Sequence, residues 1–160
     1  MFKYRRLATT DDERIAAIIR ANLEKFHLNI PGTAYFDAEL DHLSNYYNNG
    51  SPRRAYFVAL DDDARVIGGV GIAEFPSLAN CAEVQKLYLD DCAKGKGYGT
   101  KLMQLAEDYA KSAGYKSLYL ETHTNLSAAL GLYAKMGFER IEQPCLTQHS
   151  TMNRFYLKKL

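Results

Sequence analysis

The sequence predicts a mixed α/β domain in which strands and helices alternate around a single crossover. Three observations carry that prediction. Short apolar or alternating runs are bounded by turn residues, as strands are, and longer runs repeat their apolar residues at helical spacing. Between one of each lies CAKGKGYGTKL, Cys92 to Leu102, where Gly95, Gly97 and Gly99 alternate with Lys96 and Tyr98. Glycines cluster where a chain turns tightly or comes close to something else.

Taken in order, residues 2–7 alternate in polarity as a short strand does. TTDDERIAAIIRANLEKF follows with a helix start: Thr10 or Asp11 is placed to cap, and acids fill the first turn. Ile15, Ile18, Ile19 and Leu23 then form one face. Pro31-Gly32 breaks the chain. TAYFDAELDHLSNYYNNG predicts a second helix ending near Asn49-Gly50, with Phe36, Leu40, Leu43 and Tyr47 at helical spacing. Strands are expected at 54–60, 65–75 and 82–89, the first two joined by a hairpin turn at Asp61-Asp62-Asp63.

Beyond the glycine loop, Leu102, Ala106, Tyr109 and Ala113 make a helical face that Gly114 stops. Residues 116–122 predict a strand, 127–136 a short helix closed by Gly137, and two weaker strands fall around 138–142 and 153–158. The order is βααβββαβαββ. No repeat, linker or low-complexity stretch divides it, so residues 1–160 read as a single domain.

Composition narrows the function. A chain of 160 residues with 47% apolar and 24% charged side chains can bury its own core. A formal charge of +1 argues against a general nucleic-acid or membrane-surface binder. Cys81, Cys92 and Cys145 are odd in number and irregularly spaced, so neither a disulfide framework nor a zinc site is suggested. His27, His42 and His149 have no metal-like spacing either. The first residues hold no apolar signal core, and no run approaches the about 18 apolar residues of a membrane span. The expectation is a reduced cytoplasmic protein.

Strand, glycine-rich loop, helix is an arrangement that binds anions. The first helical N–H groups lack partners and the macrodipole places positive charge at that end. Lys94, Lys96 and Lys101 add full charges. The simpler reading is a turn with solvated lysines. A P-loop is absent, because no G-x-x-x-x-G-K-[ST] run occurs. A dinucleotide fingerprint remains as an alternative: its third glycine is misplaced, although Glu121 closes the following strand where a ribose-binding acid would sit.

The run KGKGYG resembles the pyrophosphate loop, [QR]-x-x-G-x-[GA], of the GNAT superfamily of acyl-CoA-dependent N-acetyltransferases. AEVQKLYL, at 82–89, resembles the strand that precedes that loop. LYAKMGF, at 132–138, resembles the later motif that carries the family's catalytic tyrosine. The element order is similar from residue 2 to the end. The resemblance implies a mostly antiparallel sheet with helices on both faces and a splayed central pair of strands, 82–89 and 116–122, admitting acetyl-CoA. It departs from the family in two places. Lys94 stands where Arg or Gln is usual and loses the planar fork. Asn125 lies eight residues before Tyr133, where the family spacing is seven, so it is either a cofactor contact or a cap for the helix at 127.

The resemblance also implies roles. Leu87, Tyr88 and Leu89 would pair their backbone groups with pantetheine amides, and one N–H there would polarise the thioester carbonyl. Lys94, Gly95, Lys96, Gly97, Tyr98, Gly99 and Thr100 would hold the pyrophosphate. Glu83 aligns with a glutamate that acts as general base, usually through water. An amine with pKa near ~10.4 arrives charged, so a base is useful. Tyr133 would protonate the leaving thiolate; its alternative is core packing. His123, at a strand end, is a further candidate base, and Cys81 or Cys92 would allow an acetyl-cysteine route, although cysteine is more often a small buried hydrophobe. Tyr35 and Phe36 are placed to edge the acceptor cleft.

The expected function is therefore transfer of an acetyl group from acetyl-CoA to a primary amine, without metal. The acceptor would be a small-molecule amine, an amino acid or a peptide N-terminus, and the chain a monomer or homodimer. A non-catalytic acyl-CoA sensor of the same fold is the alternative; Glu83 and Tyr133 favour the enzyme, since a sensor needs neither.

Overall fold

In the computed structural model, which describes residues 1–160, seven strands form one sheet. They are β1 (Lys3–Arg6), β2 (Ala55–Leu60), β3 (Val66–Glu74), β4 (Cys81–Leu89), β5 (Ser117–Thr122), β6 (Glu139–Ile141) and β7 (Arg154–Lys159). The spatial order is β1-β2-β3-β4-β5-β7-β6. Every neighbouring pair is antiparallel except β4 and β5. That parallel pair meets only at Cys81↔Ser117, Ala82↔Leu118 and Glu83↔Tyr119. Beyond those rungs both strands continue without pairing, so the sheet opens as a wedge in its middle.

Helices cover both faces. On one, α3 (Tyr98–Ser112) and α4 (Ser127–Lys135) pack Leu102, Met103, Ala106 and Tyr133 onto Phe57, Val70, Ile72 and Leu118. On the other, α1 (Asp12–Lys25) and α2 (Leu43–Tyr47) pack Ile15, Ile19, Leu23, Leu43 and Tyr47 onto Tyr56 and Val58. The expected face of α1 is buried throughout. Its expected cap differs. Asp11 stands at the N-cap, but its carboxylate accepts from the Ala8 N–H at 2.8 Å and pairs with Arg5 at 2.6 Å instead of capping the helix.

The second expected helix is a correction. Residues 33–50 are broken into 3-10 turns at Ala34–Phe36 and Leu40–His42 and the single short helix α2. Thr33 Oγ1 accepts from the Tyr35 N–H at 3.3 Å, which starts a turn, and Asp37 is extended at φ −61° and ψ 131°. Its carboxylate is bonded to Lys86 and His149, so tertiary partners override the helical spacing. Leu40, Leu43 and Tyr47 are buried, while Phe36 is 62% exposed.

Glycines in β3 make room for large neighbours. The Tyr56 ring occupies the place of a Cβ on Gly69, and the Tyr47 hydroxyl lies 2.5 Å from where a Cβ on Gly71 would be. Residues 142–153 form no regular element. They are tied across the molecule by the Thr151 N–H to the Gly32 carbonyl, 3.0 Å, and the Asn153 N–H to the Thr122 carbonyl, 2.9 Å. No helix is long and apolar enough to cross a membrane.

Candidate active site

The wedge between β4 and β5 holds a cleft of about 360 Å³. One wall is the end of β4, with Leu87, Tyr88 and Leu89. The glycine loop and the start of α3 close one end, through Lys94, Gly95, Gly97, Gly99 and Thr100. Ala129, Leu132 and Tyr133 of α4 and Leu120, Glu121 and Thr122 of β5 complete it.

A bulge aims the β4 wall. The β3–β4 register shifts between Gly69↔Tyr88 and Gly71↔Gln85, and Lys86 there takes φ +50°. The strained backbone is held by the Tyr56 hydroxyl, which donates to the Lys86 carbonyl at 2.8 Å. Asn22 of α1 donates to the Leu89 carbonyl at 2.8 Å. The expected backbone pairing at Leu89 therefore does not extend to its carbonyl.

The loop is built for an anion. Gly95 and Gly97 have φ +74° and +84°, and no atom lies within 4 Å of where their Cβ atoms would be. The backbone angle requires glycine, and the space beside it is open. From Gly95 to Thr100 no amide donates to a backbone carbonyl; the series begins at Lys101, whose N–H donates to the Gly97 carbonyl at 3.2 Å. A run of free N–H groups at a helix start is an anion cradle. Lys94 Nζ stands 2.8 Å from Asp91 Oδ1 and 5.3 Å from the Phe26 ring centroid. Lys96 is exposed outside the cleft lining. The Tyr98 ring turns to Phe2, 6.0 Å between centroids.

Tyr133 is largely buried, 6.0 Å from the rings of both Phe138 and Tyr156, and lines the cleft. Burial pushes its phenol well above the ordinary value, with Tyr156 adding to the effect, so the proton stays on at neutral pH. Glu83 lies on the last paired rung, where the strands part, and does not line the cleft itself. Burial raises its carboxyl to about 7, and Glu121 adds to the rise. The Gln85 amide, donating at 2.7 Å, opposes it, as do His149 and Lys86.

Other candidates sit elsewhere. The Asn125 amide donates to the Phe26 carbonyl at 2.9 Å, outside the cleft lining, and Leu126 is the N-cap of α4 with no side-chain cap. The capping alternative is thus corrected: Asn125 links the β5–α4 connection to the end of α1. His123 Nδ1 accepts from the Asn125 N–H at 3.0 Å and does not line the cleft. Cys81 is buried with its thiol raised by that burial, and the exposed Cys92 is raised by the hydrogen bond to Asp90. Neither lines the cleft or is poised as a thiolate.

Sequence reasoning missed the polar cluster on the other side of Glu83. Asp37 accepts from Lys86 Nζ at 2.7 Å and lies 2.8 Å from His149 Nε2; both the Lys86 and Asp37 side chains are 5% exposed. His149 Nδ1 is 3.8 Å from Glu121, which accepts from Thr147 at 2.8 Å and Tyr119 at 3.0 Å. Lys86 and Glu121 line the cleft, so this cluster closes its far side. Asp37 was hidden in an apparent helix and His149 in a segment without periodicity.

Residues 10–138 match the model of the acetyltransferase (GNAT) family. An uncharacterized N-acetyltransferase of Escherichia coli K12, YjgM, is 36% identical over 140 residues, 86% of this chain and 82% of that protein. An IAA acetyltransferase of Azospirillum brasilense is 29% identical over 64% of this chain and 66% of its own. A GNAT-family acetyltransferase from Staphylococcus aureus Mu50 shares the fold with a TM-score of 0.86 over 99% of both chains, at 18% identity. So does the PaiA N-acetyltransferase of Thermoplasma acidophilum, solved with coenzyme A: TM-score 0.78, 21% identity, 100% of this chain and 99% of that one.

Proposed function

Because the chain belongs to the GNAT family of acetyltransferases, we propose that it moves an acetyl group from acetyl-CoA directly to a primary amine. The observation that carries this reading is the wedge itself: an unpaired β4 edge, a cradle of free N–H groups and the Tyr133 ring line one cleft. Acetyl-CoA supplies an acyl group already activated as a thioester. The residues of the chain fit it. The amides from Gly95 to Thr100 and the charge of Lys94 hold the pyrophosphate, and Leu87 and Tyr88 present their backbone to the pantetheine arm.

Glu83 takes the proton of the incoming ammonium through water, since the carboxylate stands behind the cleft wall. A carboxyl near 7 is matched to that task at neutral pH. The C–S bond breaks as the C–N bond forms, and Tyr133 gives its proton to the departing thiolate. A thiol near ~8.5 is a better acid than this raised phenol, so the transfer completes only as the thiolate forms inside the dry cleft and the phenol is rapidly reprotonated.

Replacing Tyr133 by Phe tests the reading, because it keeps the ring and removes the hydroxyl. Thiol release from acetyl-CoA over a panel of amines, amino acids and peptides should show kcat down roughly 10²–10⁴-fold. Acetyl-CoA affinity and Tm should stay near wild type. Wild-type turnover in Tyr133→Phe would remove the acid, and acetyl-CoA binding with no turnover on any amine would mark a sensor.

A further inference from the structure

Behind Glu83 stands a relay that the reaction above does not use. The Tyr47 hydroxyl donates to Gln85 Oε1 at 2.6 Å, and Gln85 Nε2 donates to Glu83 Oε1 at 2.7 Å. Tyr47 belongs to α2 and its ring is fully buried. It reaches Gln85 only because the residue opposite Gln85 on β3 is Gly71, where a Cβ would lie 2.5 Å from the phenol oxygen.

Each link fixes the direction of the next. Burial holds the Tyr47 phenol well above its ordinary value, so it keeps its proton and remains a donor. A donor at Tyr47 pins the oxygen of the Gln85 amide, which turns the NH₂ to Glu83. An NH₂ group only donates, and a donor stabilises the carboxylate over the neutral acid. A reversed amide would instead accept from a protonated Glu83 and favour the neutral form.

We propose that Gln85, its amide set by Tyr47, is a positioning residue that keeps Glu83 in the ionised state a general base requires; the functional part of this rests on the reading of Glu83 as that base. The surroundings show why a donor is needed. Glu83 is faced by Glu121 and Tyr119 from β5, by Cys81 and Lys86 along β4, by Tyr47 from α2 and by His149 from the 142–153 segment. Burial and Glu121 press it toward the neutral acid. Lys86 and His149 press the other way, but both are bonded to Asp37. The Gln85 amide is the donor that reaches the carboxylate itself.

The test is a ¹³C-carboxyl NMR titration of Glu83 in the intact chain, beside the pH profile of kcat/KM with acetyl-CoA and the most active amine of the panel. The wild-type midpoint should stand at about 7. Gln85→Met keeps the length of the side chain and removes the donor, and should raise the midpoint by about one pH unit. Tyr47→Phe keeps the ring and frees the amide, and should raise it by less. The acid limb of kcat/KM should move with the midpoint, so that activity lost at neutral pH returns in alkaline buffer. A midpoint unmoved in both variants overturns the proposal. A midpoint that rises while the acid limb stays at its wild-type position supports the tuning of Glu83 by Gln85 and overturns the reading of Glu83 as the base.

Discussion

The two sides of the cleft are assembled over very different lengths of chain. The glycine-loop side is continuous: the end of β4, the loop and the first turn of α3 follow one another from Leu87 to Thr100. The far side joins Asp37, Lys86, Glu121 and His149, and its central contact, His149 to Asp37, spans 112 residues. A continuous site depends on local backbone geometry and tolerates change elsewhere. A site closed by distant partners fails when any one of them is lost.

The largest effect is therefore expected on the far side. Asp37→Ala strips the nearest carboxylate from Lys86, whose side chain is 5% exposed. Removing one partner of a buried ion pair typically costs about 3–5 kcal/mol. Thermal denaturation should show that loss, with KM for the amine raised and acetyl-CoA affinity unchanged in calorimetry. A parallel fall in acetyl-CoA affinity would mean that the two sides are one unit. The wild-type pair has a defined pH dependence. Burial would raise the Asp37 carboxyl, but His149 and Lys86 outweigh it and hold it below the ordinary range. Its stabilisation is present above the ordinary carboxylate range and is lost as pH falls through the depressed value.

Glu83 sharpens the contrast with the opposite sign and a smaller effect. The unfolded carboxyl ionises near ~4.3, while burial raises the folded one to about 7. The unfolded state loses its proton first, so wild-type stability falls as pH rises across that window and then levels off. Glu83→Gln removes the loss. Its Tm should match wild type in acid and exceed it at pH 8 by a few degrees, at roughly 2–4 °C per kcal/mol. Equal melting temperatures at pH 8 would show that Glu83 is not held against its ionisation.

Legibility in the sequence follows the same division. The strand order, the loop glycines and the inward face of α4 that carries Tyr133 are set by residues a few positions apart, and each leaves a local pattern. The break at Asp37 leaves none, because Phe36, Leu40, Leu43 and Tyr47 keep helical spacing while the carboxylate is drawn away by Lys86 and His149. Gly71 shows the same limit. Its glycine is explained by the Tyr47 phenol, from another element, and by nothing in its own strand. Asn125 sits at a plausible cap position, yet its amide goes to the Phe26 carbonyl.

The account's central claim is that the Gly95–Thr100 cradle binds acetyl-CoA, and calorimetry on wild type and Gly97→Val tests it most directly. Gly97 takes φ +84° with open space beside it, so valine there strains the backbone and fills the approach to the amides. The account predicts micromolar or tighter acetyl-CoA binding to wild type and at least about tenfold weaker binding to the variant, about 1.4 kcal/mol. Equal affinity in the two proteins, or binding of NAD in place of acetyl-CoA, would contradict it.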